Sequence, residues 1–335
     1  MPHNLYTDPV SGQISMMYAG DTPWHRLGKK LEQPATSKEA IQAAGLDWLV
    51  DKYPLKVKTP TTYQTVENQF VIMRKDLWQQ DKPGPYFGIV SGGYQLLQNH
   101  EAFEFFDDVV GQKAAIYHTA GALGNGERVW ILAKLPESIR VVGDDICDKY
   151  LLLSNSHDGK SSVQMKFTPI RVVCQNTLTL SLRRGPTIHI SHTRNLRTRM
   201  RQAEDLLGII HNQFEIIEAD LKRMASVNMN TEKIAAYYKI LFPDPRDPGD
   251  ELGLERIKRN RVNAERYFES GRGNTEKGVS GTLWAAYNGV AEMVDYPSTT
   301  TNLDQHLKSI WFGDGYLLKA RAFQVGMENI KAWAG

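Results

Sequence analysis

The apolar pattern changes period in the middle of the chain, and that change restricts the folds open to it. Val163, Met165 and Phe167 alternate with Gln164, Lys166 and Thr168. From Ile170 the positions Ile170, Val172, Cys174, Asn176, Leu178, Leu180 and Leu182 run against Arg171, Val173, Gln175, Thr177, Thr179, Ser181 and Arg183. Successive strand side chains point to opposite faces, so this spacing predicts strands with one apolar and one open face, and a bulge near Asn176. Asp158 and Gly159 supply hairpin chemistry back to Tyr150, Leu151, Leu152 and Leu153. Farther on, Leu196, Met200, Ala203, Leu207, Ile210, Phe214, Ile217, Leu221 and Met224 are spaced alternately by four and three, which predicts one long helix. Its seam is read as a face packed on the sheet, with a second copy as the other cover.

The same stretch is the most basic in the chain. Lys149, Lys160, Lys166, Arg171, Arg183, Arg184, Arg194, Arg197, Arg199 and Arg201 are set against Asp158 alone, although the whole chain carries a net charge of only +2. On the open strand face Lys166, Arg171, Gln175 and Arg183 stand among hydroxyls. Arg194, Arg197, Arg199 and Arg201 fall at the helix start, where the dipole already places partial positive charge. Cations in that position favour an anion between them, and helix N-termini and arginines both hold phosphate oxygens. The expected nucleic-acid contacts are therefore Lys160, Lys166, Arg171, Gln175, Arg183, Arg184, Arg194, Arg197, Arg199 and Arg201. A plain solubilising surface is the competing reading of the same charges.

The rest of the chain is organised around this centre. Residues 1–35 are expected to form an extended N-terminal arm anchored by aromatics. Residues 36–228 form a β-rich α+β core with the long helix, and residues 229–335 a helical C-terminal region. Ser37 is expected to cap a short helix ending near Gly45, and Asn99 a helix presenting Phe103, Phe106 and Val110. Strands are expected over 48–57, 70–73, 86–90, 114–119 and 128–135. Helices are expected over 231–242, 255–268, 282–296, 303–311 and 315–333. The proline-rich run 243–248 breaks the pattern between the first two of these. The second helix is basic, through Arg256, Lys258, Arg259, Arg261 and Arg266. The fold class expected is α+β, an antiparallel β-rich core packed on a long helix with a helical C-terminal part.

Signals for catalysis are weak. Gly121, Gly124 and Gly126 join two strands and lack the Lys-Ser or Lys-Thr of a phosphate loop. His189 and His192 are three apart on an alternating segment, which sends them to opposite faces. Asp107 with Asp108, and Asp144 with Asp145, are read as solvated surface. Cys174 faces the core, and Cys147 and Cys174 are both read as reduced thiols. No run of eighteen apolar residues and no leader-like start occurs, so a cytoplasmic protein without a membrane partner is expected. No cofactor, no metal and no enzymatic activity are expected.

Three phrases carry a resemblance. They are Tyr18-Ala19-Gly20-Asp21-Thr22-Pro23-Trp24-His25 with Leu27 and Gly28, then Ala44-Gly45-Leu46-Asp47-Trp48, and Pro169-Ile170-Arg171-Val172-Val173-Cys174-Gln175-Asn176-Thr177-Leu178. On these the chain resembles a family of phage and plasmid proteins grouped by a domain of unknown function (domain of unknown function 932), which has no catalytic residues to transfer. More distantly, antiparallel strands followed by one long helix resemble the Red beta and Erf type of single-strand annealing proteins, a fold-level analogy. That resemblance implies a homo-oligomer, a ring or filament, on single-stranded DNA in phage or plasmid recombination or replication. The alternatives are a protein-binding factor of a mobile element, for example in counter-defence, and a metal-dependent nuclease.

Overall fold

The computed structural model describes residues 5–19, 27–33, 35–80, 84–110, 116–171, 176–177, 187–204, 207–296, 309–310 and 313–334. Within these, the side chains of 106, 108–110, 116, 176–177, 187, 201–204 and 207–213 are not described. The architecture is α+β, a large, mostly antiparallel sheet and a three-stranded sheet, with helices filling the C-terminal half.

The long alternating segments build the large sheet. Strands β6 (Ile116–Leu123), β7 (Arg128–Val142), β8 (Asp145–Ser156) and β9 (Val163–Arg171) form an antiparallel meander. Gly124 and Gly126 take positive φ in the turn between β6 and β7, and Gly159 does so in the turn between β8 and β9. Both glycine-bearing segments are therefore hairpin turns, as their spacing implied. The N-terminal arm joins this sheet. Strand β1 (Met16–Ala19) lies antiparallel to β6 and parallel to β2 (Lys29–Leu31), which forms that edge. On the other edge β9 meets two short strands, β10 (Asn176–Thr177) opposite Arg171 and Ile170, and β11 (Thr187–Ile190) opposite 163–166.

That edge corrects one expectation. Asn176 pairs antiparallel with Arg171, so the chain reverses between them and no single strand runs from Ile170 to Arg183. Alternation does not distinguish one long strand from two strands folded on each other, because both keep period two.

The second sheet is β3 (Val50–Lys58), β4 (Tyr63–Arg74) and β5 (Tyr86–Ser91), all antiparallel. Val50, Ile72, Phe87 and Val90 face the main core with Trp48. Gly88 admits the Asp158 carbonyl, which would lie 2.3 Å from an added Cβ, so β5 docks directly on the β8–β9 turn. Helix α1 (Ser37–Ala43) is capped by Thr36, one residue before the expected Ser37, in a reciprocal capping box with Glu39. Helix α2 (Lys75–Gln79) follows β4, and α3 (Asn99–Val110) follows β5. Asn99 does not cap α3. Its buried side chain donates to Leu46 O at 2.9 Å and meets His157 Nε2 at 2.9 Å.

The expected long helix is described as α4 (Leu196–Glu204) and α5 (Leu207–Ala225). Its described seam residues Leu196, Met200, Phe214, Ile217, Leu221 and Met224 are all buried in the main core. Phe214 meets Phe167 of the sheet edge to face, with ring centroids 5.5 Å apart. The described seam is an intramolecular packing face.

Helices α6 (Thr231–Leu241), α7 (Glu251–Ser270), α8 (Leu283–Asp295) and α9 (Asp314–Trp333) complete the chain. Most of the helix expected over 303–311 lies outside the described residues. The main cluster runs without a break from Ile131, Leu151 and Met165 in the sheet through Ile217 and Met224 to Trp284, Tyr287 and Phe323. A smaller cluster, including Trp130, Leu132, Tyr150, Leu152 and Ile170, lies on the other sheet face with Leu5 and Met16 of the arm. No helix among the described residues is long and apolar enough to cross a membrane.

Candidate nucleic-acid interface

The basic residues of the central stretch separate into three settings. Arg171, expected on an open face, is fully buried. Its Nε donates to both carboxylate oxygens of Asp145 at 2.8 and 3.0 Å. Nη1 donates to Arg272 O at 3.1 Å and Asn274 Oδ1 at 2.9 Å, and Nη2 to Gly273 O at 2.9 Å. The guanidinium carbon lies 5.6 Å from the Trp284 ring centroid, and Trp284 Nε1 donates to Asp145 Oδ2 at 2.6 Å. Burying an ion pair demands that its remaining donors and acceptors be met, and this socket meets them with backbone carbonyls and side chains from α8 and the segment before it. Arg171 therefore joins the sheet to the helical half and offers nothing to a phosphate. Asp145, expected on solvated surface, is buried for the same reason.

Lys166 is half-buried, with its ammonium 4.2 Å from the Tyr316 ring centroid. Burial, then the nearby Arg128 charge, pushes it down to about 8. Lys149, also in the basic stretch, is buried, with its ammonium 3.2 Å from Glu137 Oε2.

The third setting is exposed. Lys160 in the β8–β9 turn, and Arg194, Arg197 and Arg199 around the first turn of α4, all reach solvent. They come to the same end of the sheet because β11 pairs Ile190 with Val163, placing the entry to α4 beside the turn that carries Lys160. Ser162 Oγ lies 3.1 Å from Nδ1 of the exposed His189, tying turn to strand. Helix α4 has no acid in its first turn. Arg197 contacts Glu101 of α3 at 2.9 and 2.6 Å, an exposed pair that leaves half of the arginine open to water. Arg171 stands at the far end of β9, roughly 26 Å away at about 3.3 Å per residue. Gln175, Arg183 and Arg184 lie outside the described residues, as does the side chain of Arg201.

The two histidines do part. His189 is exposed, whereas His192 is buried, stacked on Tyr94 with centroids 4.6 Å apart and with Nδ1 2.9 Å from Gln95 O. Among the described residues no three His, Cys, Asp or Glu side chains converge as a metal site would need. Asp107 accepts from the Tyr117 hydroxyl, Cys147 is buried in the main core, and Cys174 lies outside the described residues.

Sequence reasoning missed two groups. The Arg171 socket draws on Asp145, Arg272, Gly273, Asn274 and Trp284, which no local pattern connects. The outer face of the three-stranded sheet was the other omission. A bulge between Ile72 and Met73 shifts the register so that Tyr86 stands opposite Met73, which spoils simple alternation.

Residues 86–311 match the family described as Domain of unknown function (DUF932). The chain belongs to the DUF932 family. The match begins at the first residue of β5 and takes in the meander, both faces of the Arg171 socket and the exposed cations of the β8–β9 turn and α4. The arm, α1, β3, β4, α2 and α9 lie outside the matched segment. No curated protein and no solved structure matches the chain significantly.

Proposed function

We propose that this DUF932 protein binds single-stranded DNA without catalysis, as an oligomeric annealing or accessory factor in recombination or replication of a phage or plasmid. The observation that carries this reading is the group of exposed cations at one end of the sheet, Lys160, Arg194, Arg197 and Arg199, around a helix start that holds no acid. Phosphate oxygens suit both the helix N-terminus and arginine, and neutralising two strands removes the repulsion that opposes their pairing. Arg171 takes no part. Annealing needs no cofactor, because pairing is downhill once the strands are held together.

A salt series of fluorescence-anisotropy titrations on single-stranded and duplex DNA, with and without magnesium, tests the reading. Tight binding that favours the single strand, weakens steeply with salt and leaves the strand intact is expected. Strand loss only with magnesium would replace it with a nuclease. No binding at low salt would leave the cations to a protein partner.

A further inference from the structure

Strands β3 and β4 run on past the end of β5. Ser91, the last residue of β5, is matched with Gln69, so the pairs Lys56–Thr65, Val57–Gln64 and Lys58–Tyr63 form a two-stranded ribbon that β5 does not flank. Thr59 and Thr62 close its tip, Thr59 N donating to Thr62 O at 2.8 Å and Thr62 N to Thr59 Oγ1 at 3.1 Å. The extra residues at the irregularity lie on β4, between Thr65 and Phe70, and alternation along β3 is kept. Opposed residues share a face, as do alternate residues of one strand, so Lys56, Lys58, Tyr63 and Thr65 all stand on the face that begins with Val50 and Lys52. All four are exposed, Tyr63 by 64%.

The other exposed cations lie on this same side of the sheet. The cross-strand rows Lys52–Ile72–Gly88 and Pro54–Phe70–Val90 carry the face over to β5. There the β8–β9 turn sits on it, since an added Cβ would lie 2.3 Å from Asp158 O at Gly88 and 2.7 Å from Val90 Cγ1 at Gly159. Lys160 follows directly. Lys56 stands one alternate position beyond the row that touches Gly159, roughly 7 Å at about 3.3 Å per residue, and Lys58 as far again. Lys52 links the ribbon to α4, because its Nζ donates to Gly92 O and Tyr94 O, both at 2.9 Å, and Tyr94 stacks on His192, two residues before Arg194. Of the acids on this side, Asp158 accepts from Lys160 N and Glu101 from Arg197. Glu67, in the irregular stretch of β4, is exposed. A strand laid from α4 to the ribbon tip meets cations along its length and one flat ring at the far end.

We infer that the β3–β4 ribbon is a second arm of the single-strand interface, with Lys56 and Lys58 on phosphates and Tyr63 stacked on a base. This rests on the DNA-binding reading above and extends it to a segment that the family match does not include. Base–aromatic stacking tolerates any sequence because every base has a π-face, and lysines beside the ring hold the backbone that carries the base.

Anisotropy titrations of the full chain test it with two labelled strands of equal length, an oligothymidylate and an abasic strand with the same phosphates. Lys56→Ala/Lys58→Ala changes exposed residues and should leave the melting temperature alone. At about 0.1 M salt it should weaken binding of both strands about tenfold or more, and lower the log–log salt slope by about 1.4, at roughly 0.7 per phosphate contact. Tyr63→Ala should weaken oligothymidylate about fivefold or more while barely affecting the abasic strand, and Tyr63→Phe, which keeps the ring, should bind as the native chain does. If the native chain binds tightly and the lysine variant matches it in affinity and slope, the ribbon is overturned and the grip at α4 stands. Equal effects of Tyr63→Ala on the two strands would overturn the stacked base. If the native chain binds neither strand, DNA binding and the ribbon fall together. Weaker binding by the lysine variant accompanied by a change in sedimentation mass would make the ribbon a contact between copies, and that too overturns the inference.

Discussion

A guanidinium without access to water is tolerable only when its donors are occupied, and Arg171 spends its own on Asp145, Asn274 and the carbonyls of Arg272 and Gly273. Removing one partner of a buried pair leaves the other charge unmatched, at about 3–5 kcal/mol. Arg171→Ala is thus expected to lower unfolding stability by roughly that amount in urea titrations. Arg197→Ala, at an exposed pair, should change it by no more than about 1 kcal/mol. His157 makes a pH prediction. Asn99 donates to Leu46 O through Nδ2, so its Oδ1 is the atom that faces His157 Nε2, and the imidazole carries its proton there. Burial between Trp48 and Phe87, then the neighbouring His192, pushes His157 down to about 3. Between that value and the ordinary 6.5 the unfolded chain holds a proton that the folded one refuses. Stability is therefore full above pH 6.5 and falls as pH drops toward 3, with a slope approaching about 1.4 kcal/mol per pH unit. Urea titrations across that range should show the slope, and His157→Gln should flatten it.

At the scale of elements, the helix start separates binding from folding. Replacing Arg194, Arg197 and Arg199 together by alanine should leave the melting temperature nearly unchanged. The same change should reduce the salt dependence of single-strand binding by about two units of log–log slope, at roughly 0.7 per phosphate contact. The sequence made the elements legible where one physical signal dominates. The seam from Leu196 to Met224, the Asp158-Gly159 turn and the β-strands of the meander were all visible, because burial on one face leaves a periodic trace. Less visible was anything that depends on distant partners. Arg171 looks like an open-face cation because alternation reports which side a residue is on, whereas the depth of that side is set by α8. The reversal between Arg171 and Asn176 left no mark, since no Gly or Pro punctuates Val172, Val173, Cys174 and Gln175. The exposed cations at Lys160, Arg194, Arg197 and Arg199 were recognised individually. Their common location comes from the pairing of β11 with β9, which crosses a stretch that sequence reasoning treated as one strand.

For the whole molecule, the continuous cluster from Met165 to Phe323 makes sheet and helices one packing unit. Far-ultraviolet circular dichroism and tryptophan fluorescence should accordingly report a single coincident unfolding transition, and two separated transitions would contradict the shared core. The socket of Arg171 also has a history in time. Asp145 and Trp284, which it holds together, are 139 positions apart. At about 5–20 residues per second, the ribosome delivers the indole roughly 7–28 s after the carboxylate. Once Arg171 has followed, the meander is complete in sequence for the rest of that interval while its charge pair still lacks the Trp284 side of its socket, so the nascent sheet waits in a wet, unlatched form. A messenger truncated before codon 284 would release that form permanently, and a ribosome paused there would hold it as a substrate for chaperones.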